Sequence, residues 1–194
     1  VSADSQGLLE PLSVSSDFNI VDTNNNQVLL RGVNITSLGE YWQGNPNFPP
    51  TLPTTESDFR SMANRGISVI RLIVHWSRLE PTPGEISTSY LDEIDEMVQL
   101  AAKYNIYTVI DMHQDAYSAF IYTSADEECP EGTSPGKGWD GAPEWATITD
   151  GLSTCIEGER NSAPAVIAAW NHFYDNTDGI QDHFIQVWGA IAER

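Results

Sequence analysis

The segment Ile67-Ser68-Val69-Ile70-Arg71-Leu72-Ile73-Val74 decides the fold class of this chain. It is rich in β-branched residues and apolar at even and odd positions alike, which is typical of a parallel strand covered by helices. A second run of this kind lies at residues 106–112. Between the two, residues 87–104 carry apolar side chains at spacings of three and four, which predicts an amphipathic helix. The pattern therefore indicates strand–helix–strand units and a parallel sheet.

The rest of the chain extends this alternation in both directions. Residues 17–22 and 27–34 are strand-like, with a turn at residues 23–26, and residues 1–16 are predicted to be a loose leader. A helix is predicted from Thr55, where Asp58 completes a capping-box pattern. Two further helices are predicted at residues 164–174 and 180–194. The loop between, residues 114–163, is long enough to suggest a functional role.

Three buried strands are too few to shield their own sheet. A (β/α)8 barrel typically needs eight strands and about 250 residues, whereas this chain has 194. We therefore predict an α/β fold in which residues 17–194 form the first three βα units of a (β/α)8 TIM barrel, completed by residues outside this chain. The alternative is a small, complete three-stranded α/β domain, which would have to cover both sheet edges.

Composition excludes several function classes. The net charge is −19, and a surface this acidic repels phosphate backbones, so nucleic-acid binding is not expected. The sequence contains no apolar run of the length that a membrane span requires. The N-terminus lacks the pattern of a signal peptide but is compatible with what remains after one is removed. We expect a secreted protein.

Cys129 and Cys155 are the two cysteines, and both lie in the long loop. In a secreted protein this arrangement suggests one disulfide that ties the loop. The alternative is two unpaired thiols in a cytosolic protein. No Cys-x-x-Cys pair is present, which argues against a zinc site.

The active site of such a barrel lies at the carboxyl ends of the strands, so the residues at those ends are the candidates. The first strand ends at Asn34, the second carries Arg71 and ends at His75, and the third continues into His113 and Asp115. Amides, cations and carboxylates at one rim suit the hydroxyls of a carbohydrate. Arg71 as a buried ion-pair partner and His113 as a structural histidine are the competing interpretations. A metal site is also conceivable, but the sequence shows no third ligand nearby, and we expect neither a metal nor a cofactor.

Four segments together resemble glycoside hydrolase family five, and within it the endoglycoceramidases. They are Arg31-Gly-Val-Asn34, the strand with Arg71, the eight residues from Asp111 to Ser118, and residues 141–152. The resemblance implies a retaining hydrolase that cleaves the β-linkage between the oligosaccharide and the ceramide of a glycosphingolipid. It also implies two catalytic glutamates, which we expect beyond Arg194, so this chain alone should be inactive. The expected partner is the C-terminal part of the same barrel, either in one polypeptide or as a separate chain from one precursor.

The resemblance implies a role for each candidate site residue. Arg71 would orient the nucleophilic glutamate, His113 and Asp115 would bind sugar hydroxyls, and Trp145 would offer a stacking face. The remaining two candidates, Asn34 and His75, would line the site.

Other features of the sequence bear on the substrate. The loop at residues 39–53 lacks a lysine that the family tends to have, and residues 124–137 form a longer insert than expected. The aromatic run at residues 117–122 is a candidate slot for ceramide, with peripheral membrane contact through the substrate. Three alternatives stay open: an endo-β-1,4-glucanase, an exo-acting glucosylceramide or steryl glucoside hydrolase, and a glycan-binding module without activity.

Overall fold

The computed structural model describes residues 9–41 and 51–194, and its centre is a three-stranded parallel sheet. The elements in chain order are β1 (Ser13–Val14), β2 (Ile20–Val21), β3 (Gly32–Ile35), α1 (Glu56–Asn64), β4 (Val69–Val74), α2 (Trp76–Leu79), α3 (Thr88–Lys103), β5 (Tyr107–Met112), α4 (Pro164–Tyr174) and α5 (Ile180–Ala192). Three short 3-10 turns are Glu144–Ala146, Arg160–Ser162 and Thr177–Gly179. The sheet has the order β3-β4-β5, and both strand pairs are parallel. The predicted alternation of strands and helices is confirmed.

Helix α3 forms where the apolar periodicity predicted it. The side chain of Ser87 accepts a hydrogen bond from the backbone N–H of Tyr90 and so caps the first turn. Leu91, Ile94 and Ala101 are buried on the face that packs towards the sheet. At α1, the Asp58 carboxylate accepts a hydrogen bond from the Thr55 N–H at 2.8 Å, as the capping-box pattern predicted. Among the described residues, no helix is both long and apolar enough to cross a membrane.

The two faces of the sheet differ in how far their side chains are exposed to solvent. On the helix-covered face, Ile70, Leu72 and Val74 have no solvent exposure. On the other face, the laterally paired residues Arg71 and Val109 stay open: the Arg71 side chain is 42% exposed and Val109 is 53% exposed. A barrel fills its interior with side chains from all of its strands. An inner face that is only partly covered, with Ile73 buried but Arg71 and Val109 open, is therefore what three of eight strands should show.

The loose leader predicted for residues 1–16 is wrong where the structure describes it. Strand β1 pairs with β2 in an antiparallel hairpin, and the Tyr107 hydroxyl donates to the carbonyl of Glu10 at 2.7 Å. These backbone pairings order residues that have no periodic pattern of their own. Residues 1–8 lie outside the described part of the chain.

The predicted strand at residues 27–34 is shorter than expected. Gln27 makes one bridge to Val21, and pairing with β4 begins only at Gly32. At this position a Cβ atom would overlap the carbonyl oxygen of Val69, so the close approach of β3 to β4 requires glycine. Val28 pairs with the hairpin instead, since its N–H donates to the carbonyl of Ile20 at 2.8 Å, whereas the carbonyl of Arg31 still accepts from the Ser68 N–H at 2.9 Å.

The long loop at residues 114–163 is held by links between distant segments. Backbone bridges join Tyr122 to Lys137 and Ser134 to Ile156. The Cys129–Cys155 disulfide is formed, with its Cα atoms 5.7 Å apart, which confirms the predicted pairing. The loop is thereby folded back over the carboxyl ends of the strands.

Candidate active site at the strand ends

Three side chains on the open face of β4 and β5 form a connected cluster. Arg71 Nη2 lies 2.8 Å from Asp111 Oδ2, and the same carboxylate oxygen lies 2.9 Å from Nδ1 of His113. Side chains in these strands alternate between faces, which puts Arg71 and Asp111 on the side away from the helices. All three are partly exposed. The sequence pattern assigns no role to Asp111, and in the structure its carboxylate contacts both Arg71 and His113.

A second cluster lies beneath the first and is buried. His75 Nδ1 accepts a hydrogen bond from the backbone N–H of Glu40 at 2.5 Å. The neutral imidazole therefore carries its proton on Nε2. The His75 backbone N–H donates to the Tyr90 hydroxyl at 3.2 Å, and this hydroxyl donates to the carbonyl of Leu38 at 2.6 Å. These contacts connect the ends of β3 and β4 through α3.

Asp140 completes the buried cluster. Its Oδ2 lies 3.4 Å from His75 Nε2. Neither His75 Nε2 nor the other oxygen of Asp140 makes a hydrogen bond of good geometry with any described residue. The ring of His75 also stacks on that of His113, with centroids 6.1 Å apart. Asp140 is therefore a buried carboxylate next to a candidate sugar-binding residue.

Sequence reasoning missed Asp140. It reaches the site because its backbone pairs with that of Asp115 across 24 intervening positions of the long loop. Its place directly before residues 141–152, the most specific part of the family resemblance, was the available signal.

Asp115 lies at the edge of a separate cavity of about 310 Å³. Its carboxylate is paired with the guanidinium of Arg160, which also lies 4.3 Å over the ring of Trp139. The described lining of the cavity is Tyr41, Asp115, Lys137, Gly138, Trp139 and Asp140. Burial, reinforced by the carboxylates of Asp140, Asp111 and Asp115, raises the pKa of Tyr41 to about 12. The Tyr41 hydroxyl therefore stays protonated, as a hydrogen-bond donor, at physiological pH.

Three side chains at the strand ends also have the composition of a candidate cation site. Ligand atoms of His113, Asp115 and Asp140 lie within 4.8 Å of one another. The sequence argument that no third ligand lies nearby is wrong, because the loop brings in Asp140. The expectation of no metal stays a prediction, and the pairing of Asp115 with Arg160 already neutralises one of the three groups.

A second cavity, of about 230 Å³, is lined in part by His113 and is mainly aromatic. Its described lining is Trp76, Met112, His113, Gln114, Tyr117, Gly141, Ala142, Trp170, Phe173 and Phe184. Of the aromatic run predicted to form a ceramide slot, Tyr117 lines this cavity, and its hydroxyl donates to the carbonyl of Ala146 at 2.7 Å. Ile121 is buried, whereas Phe120 and Tyr122 are exposed.

Trp145 and Asn34 have different surroundings from the other candidates. The indole N–H of Trp145 donates to the carbonyl of Glu80 at 2.9 Å, and its ring packs edge-on against Trp76 and His183. These contacts place Trp145 in the aromatic packing, and its role as a sugar platform stays a prediction. Asn34 is exposed on the open face, paired in register with Arg71. The roles inferred for both from the resemblance are untested.

Comparison with protein families identifies the family of this chain. The model for cellulase (glycosyl hydrolase family 5) matches residues 21–194. This chain belongs to glycosyl hydrolase family 5. The prediction of a partial (β/α)8 barrel is thereby confirmed, and the family is one of glycosidases.

Relatives within family 5 refine the comparison. An endoglycoceramidase of Cyanea nozakii is 30% identical over 164 residues, which cover 72% of this chain and 29% of the relative. The crystal structure of an endogalactoceramidase is 44% identical with a TM-score of 0.91, covering 95% of this chain and 40% of that one. Endo-glycoceramidase II from Rhodococcus sp., solved with ganglioside GM3, is 29% identical with a TM-score of 0.68, covering 93% and 39%. This chain therefore spans well under half the length of these proteins, and the predicted resemblance to endoglycoceramidases is confirmed.

Proposed function

We propose that the protein containing this chain is a retaining glycosidase that hydrolyses the β-linkage between the oligosaccharide and the ceramide of glycosphingolipids. The observation that carries the proposal is the Arg71–Asp111–His113 cluster, displayed on the open sheet face of a chain 44% identical to an endogalactoceramidase. A cation, a carboxylate and an imidazole at this rim supply donors and acceptors for sugar hydroxyls.

The two reacting carboxylates would come from the part of the barrel outside this chain. In a retaining glycosidase they lie about 5 Å apart, one as acid/base and one as nucleophile. Arg71 faces the barrel interior and would orient the nucleophile, because an adjacent cation favours the ionised carboxylate. This chain by itself would be inactive. The remainder of the barrel is its essential partner, in the same polypeptide or as a second chain.

The two cavities suggest how the substrate would lie. The aromatic cavity beside His113 suits an apolar ceramide, and exposed Phe120 and Tyr122 would extend it towards a lipid surface. The polar cavity beside Asp115 suits the oligosaccharide. The Cys129–Cys155 disulfide supports a secreted protein, because such bonds persist in oxidising compartments. Detection of the protein in culture medium rather than in cells tests this last point.

Product analysis tests the proposed reaction. The protein with its complete barrel is incubated with a ganglioside, and the products are identified by mass spectrometry. We expect intact oligosaccharide and ceramide, with the sugar released first as the β-anomer in proton NMR.

Each alternative predicts a different result when glucosylceramide and a soluble β-glucan are assayed beside the ganglioside. Release of glucose from glucosylceramide with the ganglioside left intact would indicate the exo-acting hydrolase, and cleavage of soluble glucan alone would indicate the endoglucanase. Binding of the ganglioside without turnover would indicate a glycan-binding module. Any of these results would contradict the proposal.

A further inference from the structure

Arg160 makes two contacts that the proposed reaction does not yet use. Its guanidinium binds the carboxylate of Asp115 and lies 4.3 Å over the ring of Trp139. A planar guanidinium can hydrogen-bond in its plane while its face stacks on an aromatic ring, which an ammonium group cannot do. One side chain therefore sets the relative orientation of Asp115 and Trp139.

Both partners of Arg160 line the polar cavity of about 310 Å³. This cavity is lined by an indole ring and by carboxylates, which are the kinds of group that bind the C–H faces and the hydroxyls of sugars. Buried Asp140 lines it too, and its Oδ1 has no hydrogen bond to any described residue. A carboxylate oxygen that is buried without a partner is costly unless a ligand supplies the donor. The cavity therefore has the chemistry of a sugar-binding site.

The polar cavity is distinct from the aromatic one. Their described linings have no residue in common, although they meet at the neighbouring positions Asp140 and Gly141. His113 lines the aromatic cavity, while Asp115, two residues later, lines the polar one. A substrate with an apolar and a polar end would cross the strand ends between them. The polar cavity would then take headgroup sugars.

The backbone that carries Arg160 is anchored on several sides. Cys155 is buried and bonded to Cys129, and the Ile156 N–H donates to the carbonyl of Ser134 at 2.7 Å. The hydroxyl of Ser162 donates to the carbonyl of Glu159 at 2.6 Å. The guanidinium thus projects from a fixed turn towards Asp115.

We propose that Arg160 is a positioning residue for headgroup recognition, holding Asp115 and Trp139 as two walls of a sugar pocket outside the cleavage point. The proposal rests on the proposed function. It implies that Arg160 acts on binding of the headgroup beyond its first sugar and leaves the chemical step alone, because the reacting groups lie elsewhere.

The test uses Arg160→Gln and Arg160→Lys in the protein with its complete barrel. KM and kcat are measured with two ceramide substrates that carry a one-sugar or a longer headgroup. We expect Arg160→Gln to raise KM for the longer headgroup roughly tenfold, because a charge-assisted contact is lost, with kcat within about twofold. KM for the one-sugar substrate should change little. Arg160→Lys keeps the charge but not the planar stack, so its KM for the longer headgroup should lie between the values of the wild type and of Arg160→Gln.

Arg78 offers a matched control. Its guanidinium also pairs with a carboxylate, that of Glu93, and lies 4.0 Å over the ring of Tyr90. Its side chain is 31% exposed, against 35% for Arg160. Arg78→Lys should not separate the two substrates. Melting temperatures of all variants are compared, and Arg160→Lys carries the test if Arg160→Gln fails to fold.

Three results would overturn the proposal: an equal effect of Arg160→Gln on both substrates, a fall in kcat alone, or no effect at all. Failure of the proposed function is a separate outcome, in which the wild-type protein cleaves no glycosphingolipid. In that case, calorimetry with the free oligosaccharide tests whether the sugar pocket depends on Arg160. Tenfold weaker binding by Arg160→Gln than by wild type supports the pocket, and equal binding refutes it.

Discussion

Two clusters of polar residues lie at the same edge of the sheet, and they differ in burial and in partners. Arg71, Asp111 and His113 are partly exposed on the open face and bind one another at 2.8 and 2.9 Å. His75 and Asp140 are buried, and His75 is hydrogen-bonded to the backbone N–H of Glu40 and to the hydroxyl of Tyr90. The comparison indicates that the buried pair holds the loops in place, while the open cluster is left accessible to a ligand.

Removal of the buried carboxylate should have the largest effect on stability. Asp140→Ala removes the carboxylate that faces the Nε2–H of His75 at 3.4 Å and leaves this donor alone in a buried site, which typically costs about 1–3 kcal/mol. Asp111→Ala removes a carboxylate from a partly exposed cluster, where an ion pair contributes about 1 kcal/mol or less. Urea unfolding of both variants, in the protein with its complete barrel, measures the difference. Equal losses would show that burial does not distinguish the two clusters.

For kcat, we expect a change in the open cluster to have a larger effect than a change in the buried pair. Arg71→Met removes the cation predicted to stabilise the nucleophile, and loss of one such electrostatic contact costs about 10²–10³-fold in kcat. Its unfolding free energy should change by about 1 kcal/mol or less.

Lys103→Met serves as the control for Arg71→Met. It breaks the exposed Lys103–Glu56 pair, whose atoms are 2.7 Å apart and outside the site. We expect its kcat to stay within about twofold of wild type. Unchanged kcat in Arg71→Met would remove Arg71 from the proposed machinery.

The hydrogen bonds that connect His75 to neighbouring segments should contribute less to stability. Tyr90→Phe deletes the hydroxyl that joins the N–H of His75 to the carbonyl of Leu38, and a net loss of about 1 kcal/mol is expected. Tyr107→Phe is the matched control, since it deletes a hydroxyl that donates to the carbonyl of Glu10. Chemical unfolding at neutral pH should show the larger loss for Tyr90→Phe.

Alkaline pH sharpens the same test. Burial raises the pKa of Tyr90 to about 12, above the ordinary value of 10. A raised pKa in the folded state means that the stabilisation is complete below pH 10 and is lost as pH rises from 10 to 12. The wild-type protein should therefore lose more stability over this range than Tyr90→Phe. Parallel pH profiles would contradict the burial of this hydroxyl.

Local pattern was sufficient for most of the helices. The predicted helix at residues 87–104 differs from α3 by one residue at each end, and residues 164–174 coincide with α4. Such elements are predictable because their apolar spacing and caps involve near neighbours. The hairpin of β1 and β2 was missed because two-residue strands carry no periodicity, and only their pairing defines them.

The sequence predicts where the candidate residues lie but not their partners. Asn34, His75, His113 and Asp115 are predicted at strand ends and Arg71 within a strand, because strand periodicity and the barrel rule locate them. Which of them would be buried did not follow from sequence. His75 and Arg71 lie four residues apart, yet one is enclosed by loops and the other faces the open side.

The sequence by itself determined the order of strands and helices, the polar character of the strand ends and the family to which the chain belongs. Only the tertiary structure decided that Asp140 would pair with His75, that Arg160 would bind Asp115 and that Trp145 would pack against Trp76. The physical reason is distance along the chain. Periodicity depends on side chains within a turn or two, whereas these contacts form only when the disulfide and the backbone bridges close the long loop over the sheet.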